Sequence, residues 1–145
     1  DLGDYRRALD YNLALLDGDY PDGHNADIYH ARLMNLVIHY ELGNTDLLEY
    51  LIPSACRYFR SRKSQYRFES VVLDFFKRLI RLNGNRADQL ALFEDAHARF
   101  AKLLEDPLEA DAFRSFQYYD WIGAKIAALR PTPVAAYGRA SVAAI

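Results

Sequence analysis

Two short segments of the sequence hold the residue types that a metal site needs. In each, an acidic residue stands three positions before a histidine: Asp27 before His30, and Glu94 before His97. On a helix this spacing places both side chains on one face, and di-metal carboxylate sites use Glu-x-x-His pairs from two helices plus carboxylates from two others. Further carboxylates stand at Glu41, Glu49 and Glu69. A di-metal helical-bundle oxidoreductase is therefore one hypothesis, but such pairs also arise by chance, and we expect no metal and no cofactor.

A strip of basic residues is the second candidate for a site. Between positions 57 and 86 the chain has nine of its 18 Lys and Arg, opposed by Glu69 and Asp74 alone. The strip predicts binding of an acidic peptide or, as a second choice, of nucleic acid. The favoured interpretation, however, is a solvated helix face whose Arg stems cover apolar surface. The candidate partner-binding residues are Arg57, Arg60, Arg62, Lys63, Arg67, Lys77, Arg78 and Arg81.

No other pattern in the sequence indicates catalysis. The serines lack a Gly-x-Ser-x-Gly context, and neither a Walker loop nor a Gly-x-Gly-x-x-Gly loop occurs. Cys56 is the single cysteine, so an internal disulfide and a Cys-based zinc site are excluded. We interpret Cys56 as a small core residue and His39 as structural or solvent-facing. Trp121 with Tyr118 and Tyr119 has the composition of a ligand-stacking surface, although an anchor in the core is the favoured interpretation.

The composition is that of an ordinary globular chain. The 145 residues are 51% hydrophobic and 26% charged, and 14% are aromatic, which supplies ample material for a core. The formal net charge of -2 gives no global reason to expect a nucleic-acid partner. Charged residues interrupt every helix-length window, so we predict no membrane partner, and we expect a cytoplasmic location.

The elements that must position these residues are helices. Between the glycines and prolines the apolar residues follow three-four spacing and not alternation. This spacing predicts six helices, at about residues 4–16, 26–42, 45–62, 65–82, 86–105 and 107–129. Pro53 inside the third predicts a kink or a break. The third helix is expected to turn Leu47, Leu48, Leu51, Ile52, Ala55, Tyr58 and Phe59 inward, and the sixth to turn Glu109, Asp111, Arg114, Gln117, Asp120 and Lys125 to solvent.

Three similar turns divide the chain into hairpins. Gly3, Gly43 and Gly84 each precede a polar residue, and they are 40 and 41 residues apart. A period of this size with one Gly-polar turn between two helices is typical of helical-hairpin arrays, in which stacked hairpins share one core. Gly43 is suited to a left-handed helix cap.

The segment Gly3-Asp4-Tyr5-Arg6-Arg7-Ala8-Leu9-Asp10 resembles the turn and second helix of a tetratricopeptide repeat (TPR), and the similarity extends over residues 3–21. A HEAT-like array is the alternative class. The resemblance implies an α-solenoid with protein or peptide bound on its concave face, and no common chemistry.

These observations predict an all-α protein, a TPR-like α-solenoid of antiparallel helical hairpins with about six helices. Residues 1–129 are expected to form the repeat domain, as the C-terminal part of a longer array, and residues 130–145 an extended or disordered tail. We expect a protein–protein interaction scaffold without catalytic activity. The alternatives are a binder of acidic peptide or nucleic acid through strip 57–86 and, more distantly, the di-metal oxidoreductase.

Overall fold

The computed structural model describes residues 2–17, 25–62, 66–82, 84–113 and 116–130. Within these ranges the secondary structure is helical, which confirms the all-α class. The helices are α1 (Leu2–Asp17), α2 (Asn25–Glu41), α3 (Thr45–Arg60), α4 (Phe68–Leu79), α5 (Arg86–Leu103), α6 (Pro107–Ala112) and α7 (Tyr118–Leu129). The tail predicted at 130–145 lies outside the described residues, apart from Arg130. None of the described helices has the length and apolar character to span a bilayer.

The helices pack mainly on their neighbours in sequence. Contacts join α1 to α2, α2 to α3, α3 to α4, α4 to α5 and α5 to α7, and α2 also contacts α4. Gly43 and Gly84, in the loops that precede α3 and α5, have φ angles of 76° and 75°. This confirms the left-handed conformation predicted for Gly43. The arrangement of the hairpins as a solenoid stays a prediction.

The core is a single apolar cluster to which every helix from α2 to α7, or the residue just after it, contributes. The aromatic stripe of α4 lies at its centre: Phe76 is fully buried, and its ring centroid lies 5.1 Å from that of Phe75. Phe93 and Phe100 of α5 are buried against it. The apolar stripe predicted for the fourth helix is therefore the main core element of the fold.

The break predicted as one alternative at Pro53 does not occur, and the prediction for Leu47 was wrong. The helix is unbroken from Thr45 to Arg60, with Pro53 inside it. Pro53 and Glu49 both face solvent, so water can bond the carbonyl that proline leaves without a donor. Leu47 was expected to face inward, but it is 41% exposed. The neighbouring Leu48 takes the buried position in the first turn.

The predicted sixth helix is two helices, α6 and α7. Residues 113 and 118, five positions apart in one helix, would point about 140° away from each other. The interruption lets the rings of Phe113 and Tyr118 both pack on Phe100, with centroid distances of 5.6 and 5.8 Å. Both rings also lie near Phe68. Aromatic packing thus explains the break, while the start of α6 is as predicted: Asp106 caps it and Pro107 occupies its first turn.

Candidate functional site

A groove of about 360 Å³ runs between α3 and the end of α4. The two helices are in contact, and Ile52 of α3 is buried at the base of the groove. Three-four spacing along α3 brings Pro53, Arg57 and Arg60 to the groove. Lys77 and Arg81, four positions apart, face them from the other side. The lining residues are Ile52, Pro53, Cys56, Arg57, Arg60, Lys77, Ile80 and Arg81.

Four of the lining residues are cations that face solvent: Arg57, Arg60, Lys77 and Arg81, here called the groove cations. Over the described ranges, no carboxylate forms an ion pair with any of them. Four like charges beside one concave surface with an apolar floor produce a local positive potential that attracts anions. The chain as a whole is slightly acidic, so this potential is local to the groove.

Arg67 and Arg78 of the predicted strip are engaged within the protein. Arg67 forms an ion pair of 3.1 Å with Asp106. Arg78 lies 2.9 Å from Asp95 of α5 and 3.7 Å from Asp74. Arg99 of α5 completes this network through Asp74 at 2.9 Å. The predicted strip therefore divides into a part neutralised by α5 and α6 and a part without counter-ions.

Two candidates of the strip remain. The guanidinium of Arg62 lies 4.7 Å from the centroid of the Tyr58 ring, and that of Arg32 lies 3.9 Å from the same centroid. These are cation–π contacts. Lys63 lies outside the described residues. Of the eight partner-binding candidates, the structure thus brings the four groove cations together and does not place Arg62, Arg67 and Arg78 among them.

The solvent face of α3 also carries apolar side chains. Leu47 is 41% exposed and Tyr50 is 70% exposed. Tyr50, Pro53 and Arg57 follow one another at spacings of three and four, so they share the outward face of the helix. The outward face therefore carries Leu47 and Tyr50 beside the acidic Asp46 and Glu49 toward the start of α3, and cations toward its end. Cys56 is partly buried against the core, and one side of it lines the groove.

Glu109 is a buried carboxylate that sequence analysis placed on the solvent face of the sixth helix. That prediction was wrong, because Glu109 is 1% exposed. Its Oε1 accepts a hydrogen bond from the backbone N–H of Arg67 at 2.6 Å, and its Oε2 accepts one from Phe68 N–H at 3.2 Å. The carboxylate thus caps the start of α4 from another helix. The partners are 42 and 41 positions away, and no local spacing signals them.

A second long-range polar contact joins α7 to α2. The Trp121 indole N–H donates to Glu41 Oε1 at 2.6 Å, and Lys125 forms an ion pair with the same oxygen. The Trp121 ring lies edge-on to Tyr40, at a centroid distance of 6.0 Å. Burial, with the charge of Glu41, raises the pKa of Tyr40 and of Tyr5 above the ordinary value of 10.0. This cluster joins α7 to α2.

The aromatic triplet predicted as a stacking surface or an anchor has three separate environments. Tyr118 is 1% exposed in the core, and burial, then Glu69, raises the pKa of its hydroxyl. The Tyr119 ring stacks on His97 with centroids 4.0 Å apart. Trp121 stacks on Phe76. The three rings therefore anchor α7 in different places and do not form one surface.

The residues of the di-metal hypothesis have separate partners. Glu94 accepts from Arg130 at 2.7 Å, and Glu41 is bound to Trp121 and Lys125. The side chain of Asp27 lies outside the described residues. Across the described segments, no three residues among His, Cys, Asp and Glu converge in a group that could hold a metal ion.

His39 is buried at the end of α2, and burial lowers the pKa of its imidazole below the ordinary value of 6.5. Its Nδ1 lies 3.0 Å from the Asn44 side-chain nitrogen, in the loop before α3. Of the two roles predicted for it, the structural one is confirmed.

Comparison with known proteins finds no match. No family model, no curated protein and no solved structure matches the chain. The similarity of residues 3–21 to a tetratricopeptide repeat therefore stays a prediction.

Proposed function

We propose that this chain is a protein–protein interaction scaffold of TPR-like helical-hairpin type, without catalytic activity of its own. The observation that supports it most is the outward face of α3. This helix packs on α2 and α4, yet it leaves Leu47 and Tyr50 exposed. Single exposed apolar residues are ordinary, but Tyr is enriched at protein interfaces. On α3 the exposed face continues from Tyr50 to Pro53 and Arg57, which line the groove.

The buried polar side chains join helices to one another, which agrees with the proposed scaffold function. Glu109 caps α4, and Glu41 joins α2 to α7. Asn12 of α1 donates through its side-chain nitrogen to the carbonyl of Ala31 at 2.8 Å. Each of these groups holds one helix against another. They lie in different parts of the fold, whereas catalysis needs nucleophile, base and stabilising groups within reach of one reacting atom.

A capture experiment tests the proposal. The tagged wild-type chain and a Leu47→Ser/Tyr50→Ser variant are used as baits in native lysate. The chain offers a matched control in Leu13→Ser/Tyr11→Ser on α1, because Leu13 is 42% and Tyr11 is 75% exposed. We expect a protein that the wild type and the α1 control retain and the α3 variant loses. Retention by all three baits would argue against the α3 face, and recovery of RNA alone would contradict a protein scaffold.

A further inference from the structure

We propose that the α3–α4 groove binds an acidic segment of a partner protein, in which Asp or Glu residues are interspersed with apolar residues. The inference rests on the proposed function, since it names the chemistry of the partner that such a scaffold would hold. The groove adjoins the Leu47–Tyr50 face on α3, but neither Leu47 nor Tyr50 lines it. The binding site consists of the four groove cations and the apolar floor beneath them.

The first argument is the lack of counter-ions. The groove has two cations from α3, one from α4 and one just after α4, and the described residues supply no carboxylate to pair with them. The cations on the other side of α4 are matched by carboxylates, as the network of Arg78, Asp95, Asp74 and Arg99 shows. Three of the groove cations are arginines, whose planar guanidinium groups can hold carboxylates in bidentate pairs. An acidic ligand supplies the charges that the groove lacks.

The second argument is the floor of the groove. Ile52 is 1% exposed, while Ile80 and Cys56 are partly buried. Apolar side chains of a peptide can pack there while its carboxylates meet the cations. No aromatic ring lines the described groove, so nucleic-acid bases have no platform on which to stack. The lining therefore favours a peptide over single-stranded nucleic acid.

Other occupants fit the charge less well. Residues 131–145 contain Arg139 and no Asp or Glu, so this segment has no acidic side chain that could pair with the groove cations. A second copy of the chain could present acids of α1, but there Asp4 and Asp10 flank Arg6 and Arg7. A separate acidic partner is the better complement.

The test uses fluorescence anisotropy with a fluorescein-labelled peptide of repeated Glu-Glu-Leu units. The matched peptide of Gln-Gln-Leu units has the same apolar residues without the charge. We expect the acidic peptide to bind and the neutral one not to. Binding should weaken by about tenfold from low to physiological salt, because exposed charge pairs are screened.

The variant Arg57→Gln/Lys77→Gln should weaken binding of the acidic peptide by about tenfold. The control Arg6→Gln/Lys102→Gln removes the same net charge from exposed positions of α1 and α5, and its affinity should stay within about twofold of wild type. Circular dichroism checks that both variants are folded.

Three results would overturn the inference: equal binding of the neutral peptide, an equal loss in the control variant, or no binding of either peptide. A labelled oligothymidylate that binds more tightly, and is lost in the groove variant, would reassign the groove to nucleic acid. A dimer in sedimentation velocity that the groove variant abolishes would reassign it to a second copy. If the α3 face still captures a protein while the acidic peptide fails to bind, the groove inference is wrong and the scaffold proposal stands.

Discussion

Glu109 and Arg67 lie 42 positions apart in the chain, and the carboxylate of Glu109 accepts a hydrogen bond of 2.6 Å from the backbone N–H of Arg67. The N–H of Phe68 reaches the other oxygen of the same carboxylate. The first N–H groups of a helix have no partner within that helix. A side chain from α6 supplies one for α4, and this contact fixes the position of the short helix.

Replacing Glu109 by Ala should lower the free energy of unfolding by about 2–4 kcal/mol, because it leaves two donors at a buried helix start without an acceptor. Glu109→Gln keeps one acceptor oxygen and should cost less. Urea denaturation followed by circular dichroism measures both. Glu105→Ala, at an exposed neighbouring position, is the control and should change little. Equal losses in Glu109→Ala and Glu105→Ala would mean that the cap does not stabilise the fold.

The substitution Trp121→Phe tests the link between α7 and α2. Phe keeps an aromatic ring against Phe76 but removes the indole donor to Glu41, so we expect a loss of about 1–2 kcal/mol in the free energy of unfolding. The same substitution in a Glu41→Gln background should cost less, because the charge-assisted part of the hydrogen bond is already gone. Additive losses in this double-mutant cycle would show that the two side chains do not interact.

The buried imidazole of His39 predicts a dependence of stability on pH. Its pKa in the folded protein is below 6.5, so the unfolded chain takes up a proton first as the pH falls. The contribution of His39 is therefore fully present above about pH 6.5 and is lost as the pH falls toward the pKa of the folded state. Thermal unfolding of wild type and His39→Gln, from about pH 7.5 to pH 5, should show the larger decrease in the wild type. Parallel curves would contradict this assignment.

Alanine at the left-handed glycines should destabilise the protein by backbone strain alone. Gly43 and Gly84 have positive φ, and a Cβ at either position meets no atom within 4 Å. Each Gly→Ala change should therefore cost about 1–2 kcal/mol. Gly123, inside α7, is the matched control: its Cβ would lie 3.4 Å from His97 Nε2, and Ala there should stabilise the helix by about 0.5–1 kcal/mol. Chemical denaturation distinguishes the two signs.

The helices were predictable where the signals are local. Gly43, Gly84 and the Asp106-Pro107 pair mark boundaries because of their own backbone preferences, and the stripe of α4 follows from its spacing. The end of α6 was not predictable, because it depends on where Phe113 and Tyr118 meet Phe100. The burial of Glu109 has the same origin, since its partners are backbone groups of a distant helix.

The candidate site was predictable in part. The sequence shows where the cations are concentrated. The packing of α5 and α6 decides where Asp95 and Asp106 lie. Their positions in turn decide which of the cations have no counter-ion. The groove also depends on how α3 and α4 are placed relative to each other, because Arg57 and Lys77 come together only in the folded chain.

The contact between Trp121 and Glu41 spans 80 positions, and it affects how the protein unfolds. In a row of repeats where each unit touches only its neighbours, units can melt one at a time. A hydrogen bond from α7 back to α2 links the two ends of the described fold in a single transition. Removing α7 would strip Glu41 of both its partners and expose one face of Phe76. The stability of α2 and its neighbours therefore depends on a helix far along the chain, and the described part of the protein should unfold in an all-or-none manner.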